Sequence, residues 1–161
     1  MKYLIVFISA LIIHVSSFSQ QVVKVSLQAS GLTCSMCSNA INKALKTIDF
    51  VQSVSADVQT SSFEIHFKKG SEVDFDKLRK KVEDAGFFVS SFVATINFHQ
   101  VPLTEKVMIG DKAIHFIGLS ETVLNGEKQV KILNKGFISS KEAKKLPVPT
   151  SIQPKVYYAT I

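Results

Sequence analysis

The chain has no tryptophan, only two cysteines, four prolines and seven glycines among its 161 residues. Each scarcity excludes something. Two cysteines cannot staple a disulfide-dense mini-scaffold. So few Gly and Pro exclude a collagen-like or low-complexity chain. Outside the extreme N-terminus there is no apolar run of the roughly 20 residues that a membrane-spanning helix needs. What is there reads as globular: 46% of residues are hydrophobic and 20% charged, enough for one medium domain or two small ones. The net charge is +6. It is unevenly spread. Residues 20–96 carry nine Lys or Arg against eight acids, and residues 97–161 carry nine Lys against five. No aromatic-interleaved basic stripe accompanies it, so nucleic acid is not an expected partner.

Met1-Lys2 is followed by the apolar run Tyr3 to Val15 and then by Ser16, Ser17, Phe18, Ser19 and Gln20. This is the order of a secretory signal peptide, expected over residues 1–19 with cleavage near Ser19 or Gln20. No cysteine lies near the cleavage region to suggest a lipid anchor. The mature chain is then expected to be secreted or periplasmic, in a potentially oxidising space.

Beyond it, Val23, Val25, Leu27 and Ala29 alternate with polar residues, as in a strand with one buried face. Gly31 breaks the pattern. Ala40, Ile41, Ala44, Leu45 and Ile48 form one stripe of a helix over Asn39 to Ile48. Residues 54–58 and 63–67 alternate again as a hairpin. Phe75, Leu78, Val82 and Ala85 make a second helix, stopped by Gly86. A last β-rich run covers Phe87 to Thr95. The order βαββαβ is the ferredoxin-like pattern, an α+β class with both helices on one face of an antiparallel sheet.

Both cysteines fall in one loop, Gly31-Leu32-Thr33-Cys34-Ser35-Met36-Cys37, between the first strand and the first helix. A two-residue gap lets both sulfurs face one centre. Cys37 is expected at the helix start, where unpaired N–H groups and the helix dipole favour thiolate. Two soft thiolates with no neighbouring His suit Cu(I) above all; Zn(II) prefers four ligands. An open two-ligand site favours transfer over storage. A lone C-x-x-C also fits a disulfide, a redox dithiol or half of a zinc site.

The position of the pair narrows these readings. The loop resembles the G-M-T-C-x-x-C pattern of the heavy-metal-associated domain, the fold of small copper chaperones, copper-ATPase N-terminal modules and the periplasmic mercury-binding protein. Asp84-Ala85-Gly86-Phe87 is similar to the family's Gly-aromatic ending. The resemblance covers about residues 21–95. It implies Cys34 and Cys37 as metal ligands, Thr33 shaping the loop, Phe87 shielding the site, and Leu32 as a packing anchor in place of the usual Met. Met36 reads as an exposed spacer, with a thioether ligand as the alternative.

Residues 97–161 show no family resemblance. Segments 105–109, 112–119, 129–133 and 156–161 read as short strands, with turns at Gly110-Asp111, Asn125-Gly126 and Asn134-Lys135-Gly136. Ser140 to Leu146 reads as a short helix capped by Ser139 or Ser140 and stopped by Pro147 and Pro149. The expectation is a separate small β-rich domain, at most a partly closed barrel, over 97–161, packing against the first domain over 20–96. His99, His115 and Met108 are weak candidates for a second metal site, since no paired His spacing is present. Lys141, Lys144 and Lys145 form a short basic cluster read as a solvated helix face.

The sequence thus points to an extracytoplasmic carrier that binds one Cu(I) between Cys34 and Cys37 and passes it on by thiolate exchange. Hg(II) or Zn(II) scavenging at the same site, a thiol–disulfide enzyme, and an adaptor that docks through residues 97–161 are the rivals. The expected partner is a metal-donor or metal-acceptor protein such as a copper transporter, with the chain monomeric or bridged as a dimer by metal. No general base, catalytic carboxylate pair or phosphate loop stands out, so catalysis is not expected.

Overall fold

A computed structural model describes residues 21–32, 35–104, 106–119, 122–146 and 153–161. The expected signal segment, Thr33, Cys34, Glu105, Pro147 and Pro149 lie outside the described residues. Strand β1 (Gln21–Ser30) leads to helix α1 (Ser35–Lys46), strands β2 (Val51–Asp57) and β3 (Ser62–Phe67), helix α2 (Phe75–Asp84) and strand β4 (Phe88–Pro102). Then come β5 (Val107–Ile109), β6 (Lys112–Phe116), β7 (Val123–Ile132), the one-turn helix α3 (Ser140–Ala143) and β8 (Val156–Thr160).

The first six elements form the expected ferredoxin-like unit. Period-two burial puts Val25, Leu27 and Ala29 of β1 and Phe63, Ile65 and Phe67 of β3 into the core. From the helices, Ile41 and Leu45 of α1 and Phe75, Leu78 and Val82 of α2 are buried. Asp74 caps α2 by accepting from the Lys77 N–H at 3.0 Å. At its other end Gly86 donates to the Glu83 carbonyl and Phe87 to the Val82 carbonyl, the paired bonds of a Schellman stop.

The second half departs from the sequence expectation. The eight strands of the described residues belong to one open sheet, in the order β2-β3-β1-β4-β7-β8-β6-β5. There is no barrel among the described residues. The boundary expected between residues 96 and 97 falls inside β4, which pairs with β1 from Phe88 to Asn97 and with β7 from Val93 to Pro102. Residues 97–161 therefore extend the sheet of the first half. The Asn125-Gly126 pair is also not a hairpin turn. It lies within β7, opposite an irregularity in β4 where the register shifts between Phe98 and Val101. Gly126 takes a φ of +73° and Gln100 one of +49°, and the Gln100 N–H donates to Asn125 Oδ1 at 3.4 Å. A bulge and a tight turn ask for the same residues, since both need left-handed backbone.

Helix α2 joins the two halves. Phe75, Phe92, Tyr157 and Phe137 close a ring of aromatic contacts, with centroids 5.1 to 5.7 Å apart. The Tyr157 hydroxyl donates to Asp76 Oδ2 at 2.8 Å, and burial followed by this carboxylate pushes the phenol's pKa upward. Arg79 holds Glu83 at 2.7 Å and Asp76 at 3.4 Å, and its guanidinium lies 5.5 Å from the Phe137 ring centre. Asn134 is buried, and its carboxamide accepts from the Tyr158 N–H and donates to the Val156 carbonyl. It continues the β7–β8 ladder, which has only two paired positions of its own. Lys112 is likewise buried, with its ammonium 5.8 Å from the Phe75 ring centre and 2.6 Å from Asp111.

Two stability predictions follow from this junction. Replacing Tyr157 with Phe removes one hydrogen bond to a carboxylate and should cost about 1.5–3 kcal/mol in urea unfolding. Desolvation raises the Asp111 pKa, but hydrogen bonds from Lys112 and Lys155 outweigh it and hold the carboxyl well below the usual aspartate range. The unfolded chain therefore takes up this proton first. The stability it contributes is complete above the ordinary aspartate value and drains away as pH falls toward the folded one. D111N should be less stable than the parent at pH 7, and the gap should narrow steadily under acid.

Candidate metal loop

Strands β1 and β4 set the stem of the cysteine loop. Ser30 and Phe88 are paired across the ladder, and the Ser30 hydroxyl donates to the Phe88 carbonyl at 3.3 Å. Gly31 then turns the chain with a φ of +87°, a conformation that costs a residue with a Cβ about 1–2 kcal/mol. The ring of Phe87 lies beside it, 3.9 Å from where a Gly31 Cβ would stand. Leu32 is partly buried against the core, the anchoring place expected of it. Leu32 thus packs against the core just after the turn, and Phe87, also packed against the core, flanks Gly31.

Cys37 occupies the first turn of α1 and is half-buried. That turn contains no acidic residue. The partial positive charge of a twelve-residue helix therefore acts at the sulfur's end of α1, and no carboxylate of that turn opposes it. Met36 points away from the core and is 80% exposed, the spacer position expected of it. Ser38, the next residue, is buried. One side of the first turn therefore faces solvent and the other is seated.

The other sequence candidates are dispersed. His115 of β6 stacks on Tyr158, with ring centres 5.3 Å apart. Met108 is half-exposed on β5, and His99 is exposed on β4. Among the described residues, no group of three or more His, Cys, Asp or Glu is placed to hold a metal ion. His66 pairs with Glu64 at 2.9 Å on the polar side of β3. Of the basic cluster, Lys141, Lys144 and Lys145 are all exposed around α3, which Ser139 caps by accepting from the Glu142 N–H. The sequence reading missed the buried polar pairs Tyr157–Asp76 and Lys112–Asp111, since their partners or burial come from distant elements.

The geometry of Gly31 gives a test. A Cβ there meets only ordinary van der Waals contact, so strain in the backbone is the whole cost. Gly31→Ala should lose about 1–2 kcal/mol of stability in urea unfolding. Val at the same place should lose at least as much.

Comparison with known proteins follows the same loop. The family described as the heavy-metal-associated domain matches residues 26–88. A probable copper-transporting ATPase of Arabidopsis thaliana is 35% identical over 63 residues, which is 39% of this chain and 6% of the ATPase. Among solved structures, the yeast copper transporter domain Ccc2a is 30% identical over 42% of this chain and 90% of its own, with a TM-score of 0.38. Oxidised MerP of Ralstonia metallidurans is 29% identical over 45% and 96%, with a TM-score of 0.39. The CopZ metallochaperone is 27% identical over 44% and 98%, with a TM-score of 0.37. The segment from residue 26 to residue 88, which contains both cysteines, is thus similar to the heavy-metal-associated domain, and residues 89–161 lie outside that match.

Proposed function

We propose that the chain is a heavy-metal carrier that takes one Cu(I) between the thiolates of Cys34 and Cys37. The observation that carries this reading is the seat of Cys37. It sits in the first turn of α1, a few residues after Gly31, which Phe87 flanks, and Leu32, which packs on the core, within the segment that the heavy-metal-associated family matches. Soft thiolates favour Cu(I) among biological ions. Hg(II) shares that preference, and Zn(II) would lack two of its usual four ligands. Both remain competitors at the same pair.

The ion is cargo here. A site with only two thiolate ligands leaves open coordination positions, so an acceptor's thiolate attacks the metal before a donor sulfur leaves. No step requires free Cu(I) in solution. The acceptor is a metal-transport protein with a matching dithiol, which agrees with the copper-transporting ATPase among the relatives. The reading assigns the chain binding and transfer, not catalysis. Extracytoplasmic residence rests on the N-terminal sequence pattern. It adds the requirement that both thiols be kept reduced, because a closed disulfide offers no thiolate.

The test is Cu(I) competition against a strong chelator under anaerobic conditions, with reduced residues 20–161. The expected result is one tightly held ion per chain, lost when Cys34 and Cys37 are both replaced by Ser. Equal weak binding by the two proteins would overturn the copper assignment. Metal-free turnover of a disulfide substrate would instead favour the redox rival.

A further inference from the structure

A cavity of about 660 Å³ lies where the two halves of the chain meet, between the start of β4, helix α2 and the segment around α3. Its volume falls within the range of small-molecule sites. Phe88, Val89, Ile138 and Ala143 give it a mainly apolar lining. Phe88 is 68% exposed, although β4 begins there and its neighbour Val89 is buried. A large exposed aromatic at the wall of a cavity is a surface with something to gain from being covered.

The charges around the cavity do not balance. Arg79 lines it but is already neutralised by Glu83, which also lines it, and by Asp76. Lys135 and Lys144 line it as well. Both are exposed, and neither makes an ion pair among the described residues. Lys131, by contrast, is paired with Glu142 at 2.6 Å. Two spare ammonium groups therefore border an apolar cleft. Ser139 and Ser140 line it as well.

We propose that this cavity binds a small amphipathic anion, with an apolar body against Phe88 and Ile138 and one acidic group between Lys135 and Lys144. The site is assembled from both halves of the chain. Neither the family-matched segment nor the extension supplies it alone, since Ser30, Arg79 and Phe88 come from one and Lys135 to Lys144 from the other. An occupant would rest against Ser30, the residue immediately before Gly31, and so against the stem of the cysteine loop. The proposal does not depend on which metal the loop takes, or on whether it takes one.

A matched pair of probes separates the apolar and charged contributions. 8-Anilinonaphthalene-1-sulfonate has an aromatic body and one sulfonate, and N-phenyl-1-naphthylamine has the same body without charge. Both are titrated by fluorescence into folded residues 20–161, with near-ultraviolet circular dichroism confirming fixed packing in every protein used. The anion should saturate one site and bind about tenfold more tightly than the neutral probe, the size of one well-placed charge contact. K135Q/K144Q changes two exposed side chains and should remove that preference while leaving the neutral probe unaffected. Phe88→Ser should weaken both probes. Absence of saturable binding, equal affinity for the two probes, or insensitivity to both sets of substitutions would overturn the proposal.

Discussion

Strand β4 is hydrogen-bonded along both sides, and most of the architecture hangs from that fact. At 15 residues it is far longer than the usual five or six. Its first part is the edge of a four-stranded ferredoxin-like sheet. Left bare, that edge would offer a row of unpaired N–H and C=O groups to other chains. Here β7 takes it up from Val93 to Pro102, while β1 still holds it from Phe88 to Asn97. The overlap at residues 93–97 makes the two halves one sheet. The strands beyond β7 depend on this attachment, and the weak β7–β8 ladder then draws on the side chain of Asn134.

The same attachment gives helix α2 a second surface to cover. In the first half it buries Phe75, Leu78 and Val82. The extension adds Tyr157 and Phe137 to the aromatic ring around Phe75 and Phe92. It also adds a hydrogen bond to Asp76 and an aromatic face to Arg79. The C-terminal stop of this helix then delivers Phe87 to the side of Gly31. Packing in the extension and geometry at the cysteine loop therefore meet in one ten-residue helix.

What could be read in advance depended on how local the cause was. The alternation in β1 and β3, the apolar stripes of α1 and α2 and the Gly86 stop are written in neighbouring residues, and all were legible. So was the seat of Cys37 in the first turn of α1, because the apolar stripe that follows Gly31 starts a helix there. The far half of β4 was not legible. Its pairing is interrupted between Phe98 and Val101 by the register shift, and the sequence reading ended the strand at Thr95, whereas it runs on to Pro102. Asn125-Gly126 misled for a related reason: the backbone demand is the same in a turn and opposite a bulge. Lys112 and Tyr157 gave no local sign of burial. Their partners Asp76, Phe75 and Asp111 include residues more than thirty positions away, and only the sheet order brings α2 onto them.

The shared sheet also limits how the extension can act. A domain on a flexible tether can search for a partner independently of the module it is tied to. Residues 97–161 cannot do so without breaking the β4–β7 ladder and opening the aromatic ring at Phe75. Any surface on the extension is therefore held at a set distance and angle from the stem at Ser30 and Phe88. The lysines around α3 share that fixed relation, as does the cleft they border. Partner contacts there would orient the cysteine loop as they form. The chain is better described as a ferredoxin-like fold with a built-on platform than as two modules in series.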